Sequence, residues 1–552
     1  SRMTEEVDKL IARWRKLSGD KSRRHSLWDD LARVMLPRRM GFTTTVIEGE
    51  RRTDDIFDGT PMQAARGLAN AIGGMMRPSG IPQIQMSAGD DALNNIGKVN
   101  DWLADSTDRF LNAYSNPKAR YLQVAPEIDQ DLVVFGEAVE FIGESKNRNN
   151  LLFQSLHLKD VTPIFSEDGA VEGIFNKRTF TARQLADRYG EKSLSDATRQ
   201  CLKDNQDKKI DCLRAVLPRN DYKAGAMLAR NLPISDMWIE IEAKHEIYVG
   251  GFHEFPFIYP RWETSSGEDA VSSPGMIALP DSDTLQAMGE TILIAGQRAA
   301  DPPLFAPNDG SFDAINTFPS GISYYDVETA ATMRGNPFFP LESGTNLPIT
   351  RDMQLDVRQQ VFAAFYRNVL NLPVAGPTMT AYEVMQRKEE FIREIGPMYG
   401  RYDTEKTAPE AERAFMVMLR AGGFAPIPKA LQGKNVVFIY DSPVKRIRKQ
   451  IEAAAARQWA SEMIELGQVK PDALDLINED ELGRFEAEAL VIPHRIVNSR
   501  ETVMAIREAR LAAQQQQQEA ANAAAAAQVA KTGAEAASKL GFTKDDNLSE
   551  VA

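Results

Sequence analysis

The sequence predicts a mixed α+β fold, mainly α-helical, spread over several domains. Three observations predict it. Apolar residues recur at spacings of three and four along many stretches, which is one face of an amphipathic helix. Between about residues 137 and 250 the pattern changes to short apolar runs separated by turn residues, without a regular βαβ rhythm, which excludes a Rossmann or TIM fold. The last third returns almost wholly to helical spacing. At 552 residues, a prior of about 150 residues per domain gives roughly three or four domains. A chain that is 43% hydrophobic and 26% charged is not wholly disordered.

Val7, Leu10, Ile11, Trp14 and Leu17 define the first helix, with Thr4 as its N-cap. A second covers Ser26–Met35 and stops before Pro37. The charged, turn-rich stretch Glu48–Pro61 leads into an apolar helix, Met62–Met76, ended by Pro78, Gly80 and Pro82. Further helices cover about Lys98–Tyr114 and Gln123–Phe135. Strands follow at Glu137–Ile142 and Leu151–Leu158, and Asp168-Gly169 turns a hairpin between Val161–Phe165 and Val171–Asn176. Thr181 caps a helix closed by Gly190. Strands at Asp211–Leu217, Met237–Ala243 and Glu246–Val249 complete this region, with Gly250-Gly251 read as a turn.

Pro280-Asp281 opens a helix that reaches about Ala300, where Pro302-Pro303 stops it. Residues 304–348 are rich in Gly, Pro, Asn and aromatics. A helix of roughly Thr350–Tyr366, the loop Asn368–Thr380 and a long helical pattern, Ala381–Ala421, follow; the last is interrupted at Gly396-Pro397 and near Pro409 and closed by Gly422-Gly423. Asn435–Tyr440 reads as a strand, then Arg446–Leu466, Asp472–Asn478, Glu481–Ala489 and Ser499–Ala513 as helices. Residues 511–530 hold five consecutive glutamines (Gln514–Gln518) and ten alanines. That composition favours helix but buries little, so it fits either a helical barrel made by self-association or a disordered tail.

The residues offer little chemistry. Net charge is −13, a poor basis for tight non-specific DNA binding, which rests on phosphate neutralisation by Lys and Arg. Cys201 and Cys212 match no disulfide framework or zinc spacing and read as reduced thiols of a cytosolic protein. The N-terminus shows no signal-peptide pattern, and apolar runs such as Ala414–Leu419 fall far short of a membrane span. The five histidines are scattered, and there is no GxxxxGK[ST], GxSxG or HExxH. No cofactor is expected. Asp54, Asp55 and Asp58 form a DDxxD cluster whose spacing suits a divalent cation in other contexts. With Arg51 and Arg52 beside it and no second acidic motif, a solvated or subunit-bridging charge run is the simpler account. The densest basic patch, Lys445, Arg446, Arg448 and Lys449, opens a helix, where the macrodipole disfavours it; inter-helix salt bridging or a phosphate would compensate. Phe312, Phe318, Tyr324, Tyr325, Phe338 and Phe339 suit a small local core or an interface.

Two blocks carry a resemblance. In His253–Phe305 the telling residues are Phe255-Pro256, Pro260-Arg261-Trp262, Gly267-Glu268, Pro274, Leu279-Pro280-Asp281, Leu285 and Pro302-Pro303. The second block is Met379–Phe415, and a weaker one is Asp131–Ile142. Together they resemble the head-to-tail connector, or portal, family of short-tailed, T7-like bacteriophages over about residues 5–510. The run from Asp269 to Pro274 departs from the family's usual Tyr-Gly before Ser-Pro. The resemblance implies a portal-type fold assembled into a closed ring, usually a dodecamer, at one capsid vertex. It implies a wing (1–275), a first stem helix (276–303), a clip (304–348), a second stem helix (349–367), a tunnel loop (368–380), a long wing helix and strand (381–440), a crown (441–510) and a tail or barrel (511–552).

Under that reading the uncharged Val374, Ala375, Gly376, Pro377, Thr378 and Met379 would line the DNA channel, and Arg351, Arg358 and Arg367 would be its candidate basic residues, a helix-surface salt-bridge role suiting each equally well. The clip aromatics would dock partners, and the basic patch would lie in the crown. The implied partners are further copies of the chain, double-stranded DNA passing through, terminase, tail or adaptor proteins, and capsid and scaffold proteins, with no membrane. The chain would reside in the virion after assembly in the host cytoplasm and have no enzymatic activity. Two alternatives remain: an oligomeric scaffold or adaptor without a channel, and a metal-dependent hydrolase assembled at an interface around Asp54, Asp55 and Asp58.

Overall fold

The computed structural model describes residues 2–47, 49–77, 80–81, 84–90, 93, 96–145, 150–222, 225, 228–265, 271–300, 304–305, 339–340, 347–367, 393, 396–434, 436–440, 443–468, 470–490, 492, 496–498 and 500–539. The fold is mainly helical with some sheet. The chain divides into two compact units. The first comprises Ser1–Ile84, Arg109–Phe424 and Tyr440–Arg448, the second Gln85–Asp108, Ala425–Ile439 and Lys449–Ala552. Among the described residues no helix is long and apolar enough to cross a membrane.

The first unit holds a five-stranded antiparallel meander: Val161–Phe165, Val171–Thr181, Lys209–Pro218, Ile234–Glu240 and His245–Phe252. Side chains alternate between its faces with period two. Leu213, Ala215 and Ile239 therefore pack with Val7 and Ile11 of the Arg2–Ser22 helix. Cys212 and Trp238 point the other way and pack with Leu185 and Leu194. Burial pushes the Cys212 thiol up to about 12, so it stays an unreactive thiol at neutral pH. A three-stranded sheet, Leu151–Ser155, Glu140–Glu144 and Phe257–Ile258, lies in the same unit. Arg214 joins the two sheets: it grips Asp236 through two bonds of 2.7 and 2.9 Å while its guanidinium lies 4.7 Å from the Phe141 ring and 5.5 Å from that of Phe257.

Several expected elements fall where the spacing puts them. The helices span His25–Met35, Thr60–Met76, Gly97–Ser115 and Tyr121–Phe135. Thr181 and Gln184 form a reciprocal capping box. Four readings need correction. Thr4 does not cap the first helix, which already runs from Arg2. Gly250-Gly251 is no turn but lies inside a strand; the turn falls before it, with Lys244 at φ 50°. Gly251 answers to close backbone approach, since a Cβ there would stand 2.4 Å from the Ala229 carbonyl oxygen and 2.7 Å from that of Ile234, whereas a Cβ at Gly250 would meet the Tyr248 ring. The helix expected from Pro280 begins at Pro274 and carries Pro280 inside it. Ser273 explains the earlier start, because its hydroxyl accepts the Met276 N–H at 3.0 Å while Pro274 fills a position that needs no donor. Asp472–Asn478 is a short 3-10 helix, Pro471–Leu476.

The described part of the long helical pattern, 396–421, contains a π-helical turn at Asp403–Thr407 ahead of Ala408–Arg420. Pro409 accounts for it. Without an N–H, Pro409 leaves the carbonyl four residues back unclaimed, and the backbone slips to the wider pairing, with the Ala408 N–H bonding the Asp403 carbonyl.

In the second unit the strand Val436–Tyr440 pairs with Ile84–Ala88, and the Trp102 indole donates to the Ala425 carbonyl at 2.9 Å. Its helices include Glu479–Ala489, Arg500–Lys539 and, from Lys449 onward, most of Pro443–Gly467. The last continues through the glutamine run, so this part of the low-complexity segment is helix rather than a disordered tail.

Candidate functional site

Two long helices of the first unit, Pro274–Ala300 and Leu347–Ala364, pack along each other, burying Leu285 and Val361. A loop before the Thr60–Met76 helix is clasped to both. Gln286 of the first helix acts as a surrogate peptide group. Its Oε1 accepts the N–H groups of Phe57 (2.8 Å) and Asp58 (3.0 Å), and its Nε2 donates to the Asp58 carbonyl (2.7 Å). Asp58 Oδ2 accepts from Arg358 Nε at 3.0 Å and from Gln354 Nε2 at 3.3 Å, both on the second helix, while Oδ1 accepts the Thr60 N–H at 2.9 Å. Burial pushes the Asp58 carboxyl up, but the Thr60 and Arg358 hydrogen bonds outweigh it and hold it below its ordinary range. Gly289 lets the loop sit this close, since a Cβ there would stand 3.0 Å from the Phe57 Cβ.

This geometry disperses the DDxxD cluster. Asp54 pairs with Arg51 at 2.7 Å, Asp55 is exposed, and Asp58 is buried and committed to its helix partners. Among the described residues no group of three or more His, Cys, Asp or Glu is placed to hold a metal ion. Of the three arginines, Arg351 is exposed, Arg358 is tied to Asp58, and the Arg367 guanidinium lies 4.7 Å from the Phe362 ring. Val374–Met379 lie outside the described residues, as do Phe312, Phe318, Tyr324, Tyr325 and Phe338. Phe339 falls in a two-residue strand, Phe339–Pro340, paired with Leu304–Phe305. Lys445, Arg446, Arg448 and Lys449 all lie on the Pro443–Gly467 helix, and Lys449 bonds Glu488 at 2.5 Å.

A second junction was not anticipated from the residues. It gathers the three sequence blocks quoted above. Lys406 bonds Glu140 at 2.5 Å and also Glu410. Arg261 donates to Glu405 through its backbone N–H, Nε and Nη2 at 2.9 to 3.2 Å. Glu254 receives Arg413 at 2.7 Å and Arg420 at 2.6 Å. Beside them, Arg77 holds Asp129, and the Tyr402 hydroxyl accepts from Arg77 at 2.6 Å and donates to Asp129 at 2.8 Å. Burial pushes the Glu140 carboxyl up to about 7 against the pull of Lys406. Burial lowers Lys406, but Glu140 and Glu410 overcome it and hold the ammonium charged. The π-helical turn is what aims Glu405 and Lys406 at their partners. Spacing alone could not mark these residues, yet Glu140, Glu254, Arg261, Tyr402, Glu405, Lys406, Glu410 and Arg413 all lie in the three blocks that carry the resemblance, and only Arg77, Asp129 and Arg420 lie outside them.

The described residues make a fold, mainly helical with some sheet, whose buried ion pairs are engaged with one another. Residues 7–497 match the family described as bacteriophage head to tail connecting protein, and the chain belongs to that family. It is 26% identical over 541 residues to the portal protein of Salmonella phage epsilon15, covering 96% of each chain. It is likewise 26% identical over 561 residues to the probable portal protein of Bordetella phage BPP-1, covering 100% of this chain and 99% of that one. Among solved structures, a chain from the neck of the empty gene transfer agent particle aligns with TM-score 0.35 and 12% identity over 74% of this chain and 91% of its own. One from the neck of the native particle, computed with C12 symmetry, aligns with TM-score 0.34 and 11% identity over 73% and 87%. The role of the chain is that of a phage portal, a part of the virion.

Proposed function

We propose that the chain closes head to tail into a dodecameric ring at one capsid vertex, the conduit through which double-stranded DNA enters during packaging and leaves at ejection. The carrying observation is the clasped helix pair. Pro274–Ala300 and Leu347–Ala364 leave Ile277, Leu293, Ile294, Met353 and Leu355 exposed. Apolar surface on a rigid, elongated element is what a heterologous contact covers, and such contacts close into rings when the rotation allows. In this reading the pair forms the stem, residues 1–275 the wing, 304–348 the clip, 368–380 the tunnel loop, 381–440 the long wing helix and strand, 441–510 the crown and 511–552 a barrel or tail.

The net charge of −13 suits a conduit that passes DNA without gripping it, because each phosphate neutralised would add counterion-release binding. Val374–Met379 would touch the duplex sterically, with Arg351 and Arg367 offsetting acidic groups nearby. The clip aromatics would dock terminase and later the tail proteins, with capsid and scaffold proteins meeting the wing. Lys445, Arg446 and Arg448 would join Lys449 in crown contacts. Catalysis would belong to the separate motor, and assembly to the host cytoplasm.

Native mass spectrometry with negative-stain imaging tests this. The expected result is a closed ring whose bore admits duplex DNA, about 20 Å across on the scale of its grooves. A closed oligomer without a bore would favour a scaffold or adaptor instead, and a compact dimer would remove the portal geometry altogether.

A further inference from the structure

We propose that Asp58, Gln286 and Arg358 are positioning residues of the channel: one loop residue sets the two long helices in register against the Thr60–Met76 helix. The proposal rests on the portal reading for its consequence, since it takes the helix pair to carry the channel, but its geometry stands apart from that reading. Asp58 is the one group of the clasp that addresses three helices at once. Its Oδ1 accepts the N–H of Thr60, the first residue of the helix that follows, its Oδ2 takes Arg358 and Gln354, and its peptide group is bracketed by Gln286. The carboxylate is buried, so a partner removed cannot be replaced freely by water. The site admits no bulk either, because Gly289 already brings the loop to van der Waals distance.

The consequence for Arg358 is specific. Its Nε is committed to Asp58, and an opposite charge at 3.0 Å offsets its own. Arg358 therefore acts through Asp58 on the position of the helices and contributes little to attraction of phosphate. Arg351, exposed on the same helix, is the contrasting case.

The test uses the full-length assembled protein with nitroxide labels at Asn70→Cys and Gln359→Cys, both exposed, in a Cys201→Ser background, with labelled chains diluted into unlabelled ones. Pulsed dipolar spectroscopy reads the distance between the Thr60–Met76 and Leu347–Ala364 helices. Arg358→Gln and Asp58→Asn are expected to shift or broaden that distance to the same extent, with no further change in the double variant, the non-additivity of groups acting as one unit. Arg358→Lys should restore part of it. Asp58→Asn should keep amide protection at Thr60, since an asparagine oxygen still accepts the Thr60 N–H. Gln286→Leu should speed exchange of the Phe57 and Asp58 amides by about tenfold or more. The salt dependence of DNA association should not change in Arg358→Gln.

The proposal is overturned if Arg358→Gln leaves the distance unchanged and lowers the salt slope instead, which would make Arg358 a phosphate-facing charge. Additive effects of the two single variants would overturn it too. Should Asp58→Asn fail to fold, the Arg358 and Gln286 variants decide alone. Absence of rings in the parent with a narrow label distance would count against the portal reading and leave the clasp standing.

Discussion

Both units carry exposed ion pairs, but among the described residues only the first also buries them. In the first, Lys406, Glu140 and Glu410 are 1%, 0% and 2% exposed. In the second, the pairs Lys449–Glu488, Arg457–Glu486, Arg500–Glu481 and Arg507–Asp480 have side chains 27% to 60% exposed. The lesson is one of commitment rather than strength. A buried pair adds little net stability, because desolvation cancels most of the attraction, but losing one partner strands the other in a medium that cannot solvate it. An exposed pair is screened and replaced by water at small cost. The first unit is thus wired to one geometry around its π-helical turn. The second takes its form from helix propensity and from whatever covers apolar side chains such as Trp459, Ile464 and Met504.

The sharpest break of this contrast is Lys406→Met. It leaves Glu140 and Glu410 facing each other without a cation, and the expected loss is about 3–5 kcal/mol in the unfolding of the first unit, read by chemical denaturation. A triple variant that adds Glu140→Gln and Glu410→Gln should recover most of it. If the single variant unfolds no more easily than the parent, the buried network does not hold the long helix.

A smaller effect comes from Asp131. Burial pushes its carboxyl from the ordinary 3.8 up to about 7, with Arg39, 3.1 Å away, pulling only part of the way back. The folded chain then keeps a proton that the unfolded chain releases. Stability from this group is complete below about pH 4 and is lost as pH rises through about 7, by up to about 1.4 kcal/mol per pH unit between. Asp131→Asn has no such proton. Its stability relative to the parent should rise across that window and level off above it, as urea midpoints at stepped pH would reveal. A difference that stays constant with pH would place the Asp131 carboxyl near its ordinary range.

How much of this was legible follows the range of each interaction. The helix at His25–Met35, the Asp168-Gly169 hairpin and the Thr181 cap are set by neighbours within a few positions, and spacing reports them. Gly250-Gly251 misled because glycine pairs suit both a turn and a close approach, and only the Ala229 and Ile234 carbonyls decide which. Asp58 drew attention for its local acidic neighbours, whereas its partner Arg358 lies 300 positions away. Lys406 and Glu140 are 266 positions apart, and one sequence carries no pairing signal over such a separation. What did survive at that range was the resemblance of whole blocks, which contain both ends of the Lys406–Glu140 pair but neither end of Asp58–Arg358.

The smallest effect is the most discriminating. Arg507 reaches Asp480 through two bonds of 2.6 and 2.7 Å, a geometry that on paper looks as good as any in the first unit. That hydrogen bonding holds the Asp480 carboxyl below its ordinary range. Both groups nevertheless stand in solvent, where water and salt supply what the partner withdraws. Arg507→Ala should therefore move the Asp480 carboxyl upward in an NMR titration while leaving the melting temperature of the second unit unchanged at physiological salt. The two readouts separate local electrostatics from stability. A clear fall in melting temperature would mean that surface pairs fix this unit as the buried ones fix the other, and the distinction between the two regions would have to be drawn from their apolar cores instead.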